Sequence, residues 1–513
     1  MATTFNKQVA VLVGGAIVFF ALLAMPNFEG LASSGQRMLA VTVLMAIWWI
    51  GEGTSLATTA LLPLVLFPLL GILPSKLVAQ NYANHLIFLF LGGFMIALAM
   101  EKWNFHKRLA LWIIYAIGTG PQRLVLGFMT ATAFLSMWIS NTASTMMMFP
   151  VAMAVVRQIS RDASLDGVKN FESQKQIEQG LGLVLMLGLA YSASIGGVGT
   201  LIGTAPNIVF AGFYKKMFPE NPEITFFEWM VLAVPIIIIF IPVVWLYLCR
   251  FVSPILLKNI SVSSDQMIQR ELDDLGPINR AEKTVALVFF ITAFLWIFRQ
   301  PILFGEYMIP GWSELFNGSE YLHDSTVAMA MGLLLMILPV DGLKGRNLNG
   351  KREFFALDWQ TVEKKIPWGI LLLFGGGFAL ASGFGATGLD NWIGSKLTVI
   401  KSWPLWCVVL SICLAITFLT ELTSNTATTT MILPILGFSA VAANTHPLFF
   451  MVPATLAASF AFMLPVATPP NAIAFGSGWV TIPQMSRAGF ILNLIGAGIV
   501  SSAVLLLVNP LLL

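Results

Sequence analysis

The sequence predicts an all-α polytopic membrane protein whose two halves repeat one another. Two observations carry that expectation. The first is composition: of 513 residues, 57% are hydrophobic and only 10% charged, with a mean hydropathy of +0.83. A soluble domain carries about 25% charged residues. The second is an ordered set of polar motifs that recurs inside the apolar stretches. The composition also argues against an ordinary soluble enzyme, a disordered chain and a nucleic-acid binder. The 28 Lys and Arg against 25 Asp and Glu leave a net charge of +3, so no global field recruits polyanions. Cys249, Cys407 and Cys413 show no metal-ligand spacing and read as free core thiols. His85, His106, His323 and His446 are too scattered along the chain to suggest a metal site. They fall near predicted span ends, where an interfacial role is expected.

A helical span takes about 20 apolar residues. Residues 8–24 meet that need and place an N-terminal span within 1–35. Lys7 precedes it without a small-residue cleavage site, so no cleavable signal is expected. A first repeat covers 36–256. It holds spans at 36–52, 54–72 and 85–101, an interfacial helix at 105–118, a hairpin at 124–156, a broken helix at 181–214 and a span at 226–256. A cytoplasmic linker covers 257–283. The second repeat, 284–513, holds spans at 284–298, 325–340 and 366–384, an interfacial helix at 389–401, a hairpin at 403–444, a broken helix at 447–480 and a last span at 487–511.

The hairpin assignment rests on length. Between Arg123 and Arg157 lie 33 residues without a charge. One helix of that length would reach about 50 Å, against a hydrocarbon core of about 30 Å. Two full spans and a turn would need about 40 residues or more. A re-entrant hairpin remains, with Ser140-Asn141-Thr142 at its tip. Irregular polar backbone at that depth is tolerated only where it is buried in protein or lines a cavity.

The tip recurs. Ser140-Asn141-Thr142-Ala143 returns as Ser424-Asn425-Thr426-Ala427, 284 residues on, and Pro150 and Pro434 keep that offset. LFLGGF (89–94) is matched by LLFGGGF (372–378), and GTAPN (203–207) by ATPPN (467–471). Duplicated halves of this length are a signature of secondary transporters. An inverted arrangement gives 11 crossings and two hairpins, with a cytoplasmic N-terminus and an external C-terminus. It leaves only Arg37, Lys76, Lys215, Lys216, Arg299, Lys396 and Lys401 of the 28 basic residues outside, as the positive-inside rule asks. The basic polar stretches 157–180, 258–283 and 341–365 then face the cytoplasm.

Each tip joins the end of one helix to the start of another. The ending arm offers free carbonyls and a negative dipole end to a small cation. The starting arm offers free N–H groups to an anion. Ser136 lies one turn before Ser140, and Thr420 one turn before Ser424, on the same helical faces. Hydroxyl, amide and carbonyl oxygens suit a hard ion such as Na⁺ rather than zinc or copper. A lone Ser-Asn-Thr would as readily glue helices together; two matched copies point to ion and substrate sites. The Gly- and Pro-interrupted stretches 196–207 and 465–471 read as unwound midpoints of broken helices, whose carbonyls could close each cation site.

The paired SNT motifs, followed by GTAPN and ATPPN, resemble the divalent anion:sodium symporter family over about 36–511. The resemblance implies an inverted-repeat, elevator-type transporter that works as a homodimer in a lipid bilayer. Carried over by motif, a first sodium site resembles Ser136, Ser140, Asn141 and the Gly203 carbonyl. A second resembles Thr420, Ser424, Asn425 and the Ala467 carbonyl. The substrate carboxylates would meet Asn141, Thr142, Asn425 and Thr426, with Thr204, Thr468 and Pro469 beside them. The broken helices differ at one step, Ala205 against Pro469. The expected function is import of a C4-dicarboxylate such as succinate with Na⁺, with no organic cofactor, no enzymatic activity and no nucleic-acid partner. Sulfate or citrate symport and sodium-independent exchange stay open within the same fold. A plasma membrane is expected, with the short loops favouring a bacterial inner membrane.

Two charge observations complete the reading. Glu421 is the only charge between Lys401 and the end of the second hairpin, and Met137 stands at its counterpart. It reads either as a carboxylate satisfied within the bundle or as a contributor to the second cation site. Segments 124–156, 181–214, 402–444 and 447–486 contain no Lys, Arg or His. No fixed positive charge is therefore expected near the tips, and a dianion there needs borrowed charge.

Overall fold

The computed structural model describes residues 2–118, 120–165, 171–253, 265–304, 307–340, 354–396 and 402–512. The chain opens with α1 (Ala2–Ala24), α2 (Ser33–Gly51), α3 (Leu56–Ala60), α4 (Leu62–Leu69), α5 (Ser75–Gln80), α6 (His85–Lys102) and α7 (Phe105–Ile117). A helical pair follows, α8 (Pro121–Ser136) and α9 (Asn141–Leu165). Next come α10 (Phe171–Gly197), α11 (Ala205–Met217), α12 (Phe226–Tyr247), α13 (Asp265–Asp274) and α14 (Arg280–Ile297). A short antiparallel ribbon, β1 (Ile302–Phe304) and β2 (Tyr307–Ile309), leads to α15 (Asp324–Ile337). Then come α16 (Trp359–Lys365), α17 (Trp368–Thr387) and α18 (Leu389–Lys396). The second pair is α19 (Leu405–Thr420) and α20 (Asn425–Ala442), followed by α21 (Leu448–Ala457), α22 (Pro469–Gly476) and α23 (Ile482–Leu512).

Among the described residues, seven helical stretches are long and apolar enough to cross a membrane, and four shorter apolar helices accompany them. The stretch in α10, Lys175–Gly197, is wholly enclosed by protein, whereas that in α1 is almost bare. The basic residues Lys169, Lys258, Lys344, Arg346, Lys351, Arg352 and Lys401, used above to orient the chain, lie outside the described residues. The hairpin expected at 124–156 and the broken helix expected at 181–214 both extend into the polar stretch 157–180: α9 runs on to Leu165 and α10 begins at Phe171. Residues there such as Arg157, Gln158, Lys175, Gln176 and Glu178 are good helix formers, so polarity ends the apolar face without ending the helix.

Small residues let the helices approach closely. A Cβ on Gly92 of α6 would stand 2.5 Å from the Ala328 carbonyl oxygen of α15. One on Gly196 of α10 would stand 2.1 Å from the Ala133 oxygen of α8. At one end of the α6–α15 pair lie Lys102, paired with Asp358 at 2.7 Å, and Glu101, paired with Lys365 at 2.6 Å. Arg108 and Glu282 form a buried pair close by. At the other end Arg299 pairs with Asp324, also buried. The 18 residues of α6 separate these ends by about 27 Å at about 1.5 Å per residue.

Candidate functional site

The tips differ slightly from the sequence expectation. Helix α8 ends at Ser136, residues 137–140 turn, and Asn141 is already the first residue of α9. Helix α19 ends at Thr420, and Asn425 starts α20. The Asn141, Thr142, Asn425 and Thr426 N–H groups therefore belong to first helical turns, where no intrahelical carbonyl reaches them.

The two tips share two bonds. Ser136 Oγ donates to Asn141 Oδ1 at 2.6 Å, and Thr420 Oγ1 donates to Asn425 Oδ1 at 2.6 Å. Thr145 Oγ1 donates to the Asn141 carbonyl at 2.8 Å, and Thr429 Oγ1 to the Asn425 carbonyl at 2.8 Å. Ser136 and Thr420 are both fully buried.

Two breaks lie beside the tips. Between α10 and α11 the Asn207 amide donates to the carbonyls of Gly197 (3.3 Å), Val198 (3.2 Å) and Thr200 (2.7 Å). Between α21 and α22 the Asn471 amide donates to the carbonyls of Ala461 and Leu464, both at 3.0 Å. Each asparagine thus satisfies carbonyls that the break leaves without helical partners. The sequence reading had not given Asn207 and Asn471 a role. Their signal was the shared last letter of GTAPN and ATPPN. Thr204 and Thr468 stand at the first position before each second arm, where Thr468 Oγ1 accepts the Asn471 N–H at 3.3 Å, and proline enters within two residues of each start, as suits a helix start.

Both tips and both breaks line one cavity of about 580 Å³. Its wall includes Ser140, Asn141, Thr142, Gly203, Thr204, Ser424, Asn425, Thr426, Ala467, Thr468 and Pro469, so every proposed substrate residue reaches it. Ser136 and Thr420 lie behind the wall. The donor set fits a hard cation, and the first tip has a cradle for one. A Cβ on Gly203 would meet the carbonyl oxygens of Gly197 at 2.4 Å, Ser136 at 2.9 Å and Met137 at 3.0 Å. The second tip has Ala467 at that place, with the Ala458 carbonyl 3.0 Å from Thr420 Oγ1.

Glu421 takes a defined place. Its carboxylate accepts the N–H groups of Phe462 (2.7 Å), Met463 (2.9 Å) and Leu464 (3.1 Å), and the Asn493 amide at 2.8 Å. It anchors the second break from behind. The expectation of no fixed positive charge near the tips is corrected: Lys7 of α1 reaches the cavity wall, as does Glu52. That expectation counted only the hairpins and broken helices, and α1 is remote from both in sequence. A smaller cavity leads from Ser140 and Thr142 past Ile370 to Glu101 and Lys365, so the space opens toward the Lys7 and Lys365 face.

A helical bundle that spans a membrane and gathers helix breaks around one polar cavity defines a membrane transporter, not an enzyme. The family described as "Sodium:sulfate symporter transmembrane region" matches residues 5–513, and the chain belongs to that family, the divalent anion:sodium symporters. It is 41% identical over 509 residues to the "Sodium-dependent dicarboxylate transporter SdcS" of Staphylococcus saprophyticus, covering 98% of this chain and 92% of that one. It is equally similar, 41% over 497 residues, to the same-named protein of Staphylococcus aureus strain NCTC 8325, covering 96% and 90%. Among solved structures it resembles the Alcanivorax borkumensis YdaH transporter, with a TM-score of 0.57, 13% identity and coverage of 84% and 87%. It also resembles Neisseria gonorrhoeae MtrF, with a TM-score of 0.55, 11% identity and coverage of 98% and 94%. At these identities the two structures share the fold alone.

Proposed function

We propose that the protein imports a C4-dicarboxylate such as succinate together with Na⁺. The observation that carries this reading is the doubled tip: in each, a buried hydroxyl holds the amide oxygen of an asparagine that starts a helix, and both asparagines line one cavity. The names of the Staphylococcus relatives support both the carboxylate and the sodium. Ser136, Ser140, Asn141 and the Gly203 carbonyl would hold one Na⁺. Thr420, Ser424, Asn425 and the Ala467 carbonyl would hold another. Asn141, Thr142, Asn425 and Thr426 would meet the carboxylates, with Thr204, Thr468 and Pro469 alongside.

The dipoles supply a reason for coupling. Four helices start at the cavity, α9, α11, α20 and α22, where the sequence reading counted two starts. Four others, α8, α10, α19 and α21, end beside them. Each start carries about +0.5 charge and each end about −0.5, so together they nearly cancel. Prolines within the first two positions of α11 and α22 also remove donors. Lys7 is offset by Glu52. Cations placed against the helix ends leave the starts free to hold a dianion.

The matched bonds support two inverted repeats, with re-entrant hairpins at α8–α9 and α19–α20. An elevator-type movement of the hairpins and broken helices against scaffold helices in a homodimer completes the reading. Lys102, Lys107, Arg108, Arg280 and Lys365 gather toward the face where the cavity opens, which supports a cytoplasmic position for that face and for the N-terminus, in a plasma membrane. Labelled succinate uptake into proteoliposomes, with and without a Na⁺ gradient, tests the proposal. Uptake driven by Na⁺ and competed by other C4-dicarboxylates is expected. Transport of sulfate or citrate in place of succinate would move the protein within its family, and sodium-free exchange at full rate would reject coupling.

A further inference from the structure

We propose that His85, Glu223 and His323 form a binding site for a zinc-type divalent metal ion, and that a bound ion clamps the seam between the α6–α15 pair and the α11–α12 connection. The three residues come from distant parts of the chain, which is why the sequence showed no metal-ligand spacing. The fold gathers them at the end of α6 opposite Lys102, away from the mouth of the cavity.

The geometry suits a metal better than hydrogen bonds. His85 Nε2 lies 3.4 Å from Glu223 Oε1, and His323 Nε2 lies 3.5 Å from Glu223 Oε2. Both are long for an N–H···O bond. Zinc holds nitrogen and oxygen at about 2.0–2.2 Å in a tetrahedron, which sets its ligands about 3.3–3.6 Å apart. All three ligand atoms lie within 4.8 Å of one another, and the two rings stand edge to face at 4.3 Å between centroids. Two histidines and a carboxylate are a zinc-ligand set that leaves a fourth position for water. The His85 side chain is 43% exposed and Glu223 29%, so an ion has a path in.

His323 Nδ1 accepts the Ser325 N–H at 3.0 Å and lies 3.0 Å from Ser325 Oγ; binding an ion through Nε2 moves the ring proton to Nδ1, exchanging that cap bond for one donated to Ser325 Oγ. Such outer partners orient metal-binding rings.

The clamp follows from what each ligand is attached to. His85 begins α6 and His323 caps α15, two helices packed tightly through Gly92 and Ala328. Glu223 sits on a loop tied to α11. Lys215 Nζ donates to the carbonyls of Pro219 (3.0 Å) and Asn221 (3.1 Å), and Asn221 Nδ2 donates to Tyr214 Oη at 3.1 Å. Helix α11 carries Thr204 at its cap. The seam is already fastened where the Phe226 N–H donates to Asp324 at 3.0 Å. An ion bridging it adds a second fastening, so the face opposite the cavity mouth stays shut. The clamp rests on the transport reading above; the metal site does not.

The test uses Zn²⁺ alone with purified full-length protein in detergent, without substrate. One equivalent is expected per chain. H85Q, E223Q and H323Q should each weaken binding about tenfold or more, and S325A by a smaller factor with all three ligands kept. No binding, or equal binding by wild type and the three ligand variants, would overturn the site. In proteoliposomes, Zn²⁺ on the His85 side should slow succinate uptake by wild type and not by H85Q, whose exposed side chain carries little folding risk. Zinc bound at this site with uptake unchanged would overturn the clamp.

Discussion

Asn141 and Asn425 each present an amide oxygen already engaged by a buried hydroxyl, and a backbone N–H at a helix start. Replacing either by aspartate sets a negative charge where the proposed carboxylates bind. Two like charges about 5 Å apart at an effective dielectric of about 20 repel by roughly 3 kcal/mol, more than a hundredfold in affinity. N141D and N425D should each abolish dicarboxylate uptake while the protein still folds, and wild-type uptake in both would remove the tips from the substrate site. Glu421 calls for a different outcome. Its four bonds go to Phe462, Met463, Leu464 and Asn493, and among the described residues none goes to Thr420, Ser424 or Asn425. A charged acceptor of this kind contributes about 1.5–3 kcal/mol per bond lost. E421Q should therefore lower the thermal unfolding midpoint in detergent and leave the Na⁺ concentration for half-maximal uptake unchanged. A large shift in that concentration with stability intact would restore the cation-site reading.

At the scale of the element, the breaks matter as much as the tips. Asn207 and Asn471 hold open two helix ends that would otherwise leave buried carbonyls unpaired, at a cost of about 1–3 kcal/mol each. N207L, with the same branched side-chain shape and no donors, should unfold at lower temperature and lose uptake together. Loss of uptake with no loss of stability would instead give Asn207 a direct ligand role. Gly196 shows why α10 must be slim where it passes α8. A Cβ there would stand 2.1 Å from the Ala133 carbonyl oxygen and 2.4 Å from its Cα, both backbone atoms with little room to shift. Overpacking of this kind costs about 1–3 kcal/mol. G196A should be less stable and slower in uptake than G498A, since nothing lies within 4 Å of a Cβ on Gly498. Equal behaviour of the two variants would mean that the α8–α10 contact tolerates separation.

For the whole molecule, coupling is the property to test. Four helices start at the cavity wall and four others end behind it; on the proposed reading their opposed dipoles would leave a dianion little net attraction until cations occupy the ending arms. Sodium should raise succinate affinity, and succinate should raise sodium affinity by the same factor, because the two are linked through one equilibrium. Binding measurements on purified protein, with each ligand titrated in the presence and absence of the other, read both factors. Replacing Na⁺ by choline should abolish uptake. Unchanged succinate affinity in choline would break the coupling.

The sequence by itself determined the class of molecule and marked the two tips on which the proposed site rests. Low charge and long apolar runs required a membrane helix bundle, since only internally bonded backbone survives in hydrocarbon. A charge-free run too short for two spans required a turn near Ser140, and the copied motif marked its partner at Ser424. Those are local properties, written in periodicity, length and repetition. Contacts between distant segments were left to the tertiary structure. It seated Ser136 and Thr420 behind the cavity wall, gave Asn207 and Asn471 their carbonyls, and turned the Glu421 carboxylate toward 462–464. It brought Lys7 to the cavity and joined His85, Glu223 and His323 at the far end of α6. Each depends on which helix faces which, and that choice comes from glycine-sized approaches such as Gly92 on Ala328 and Gly196 on Ala133. No window of the sequence contains both partners of such a contact, so only packing could decide it.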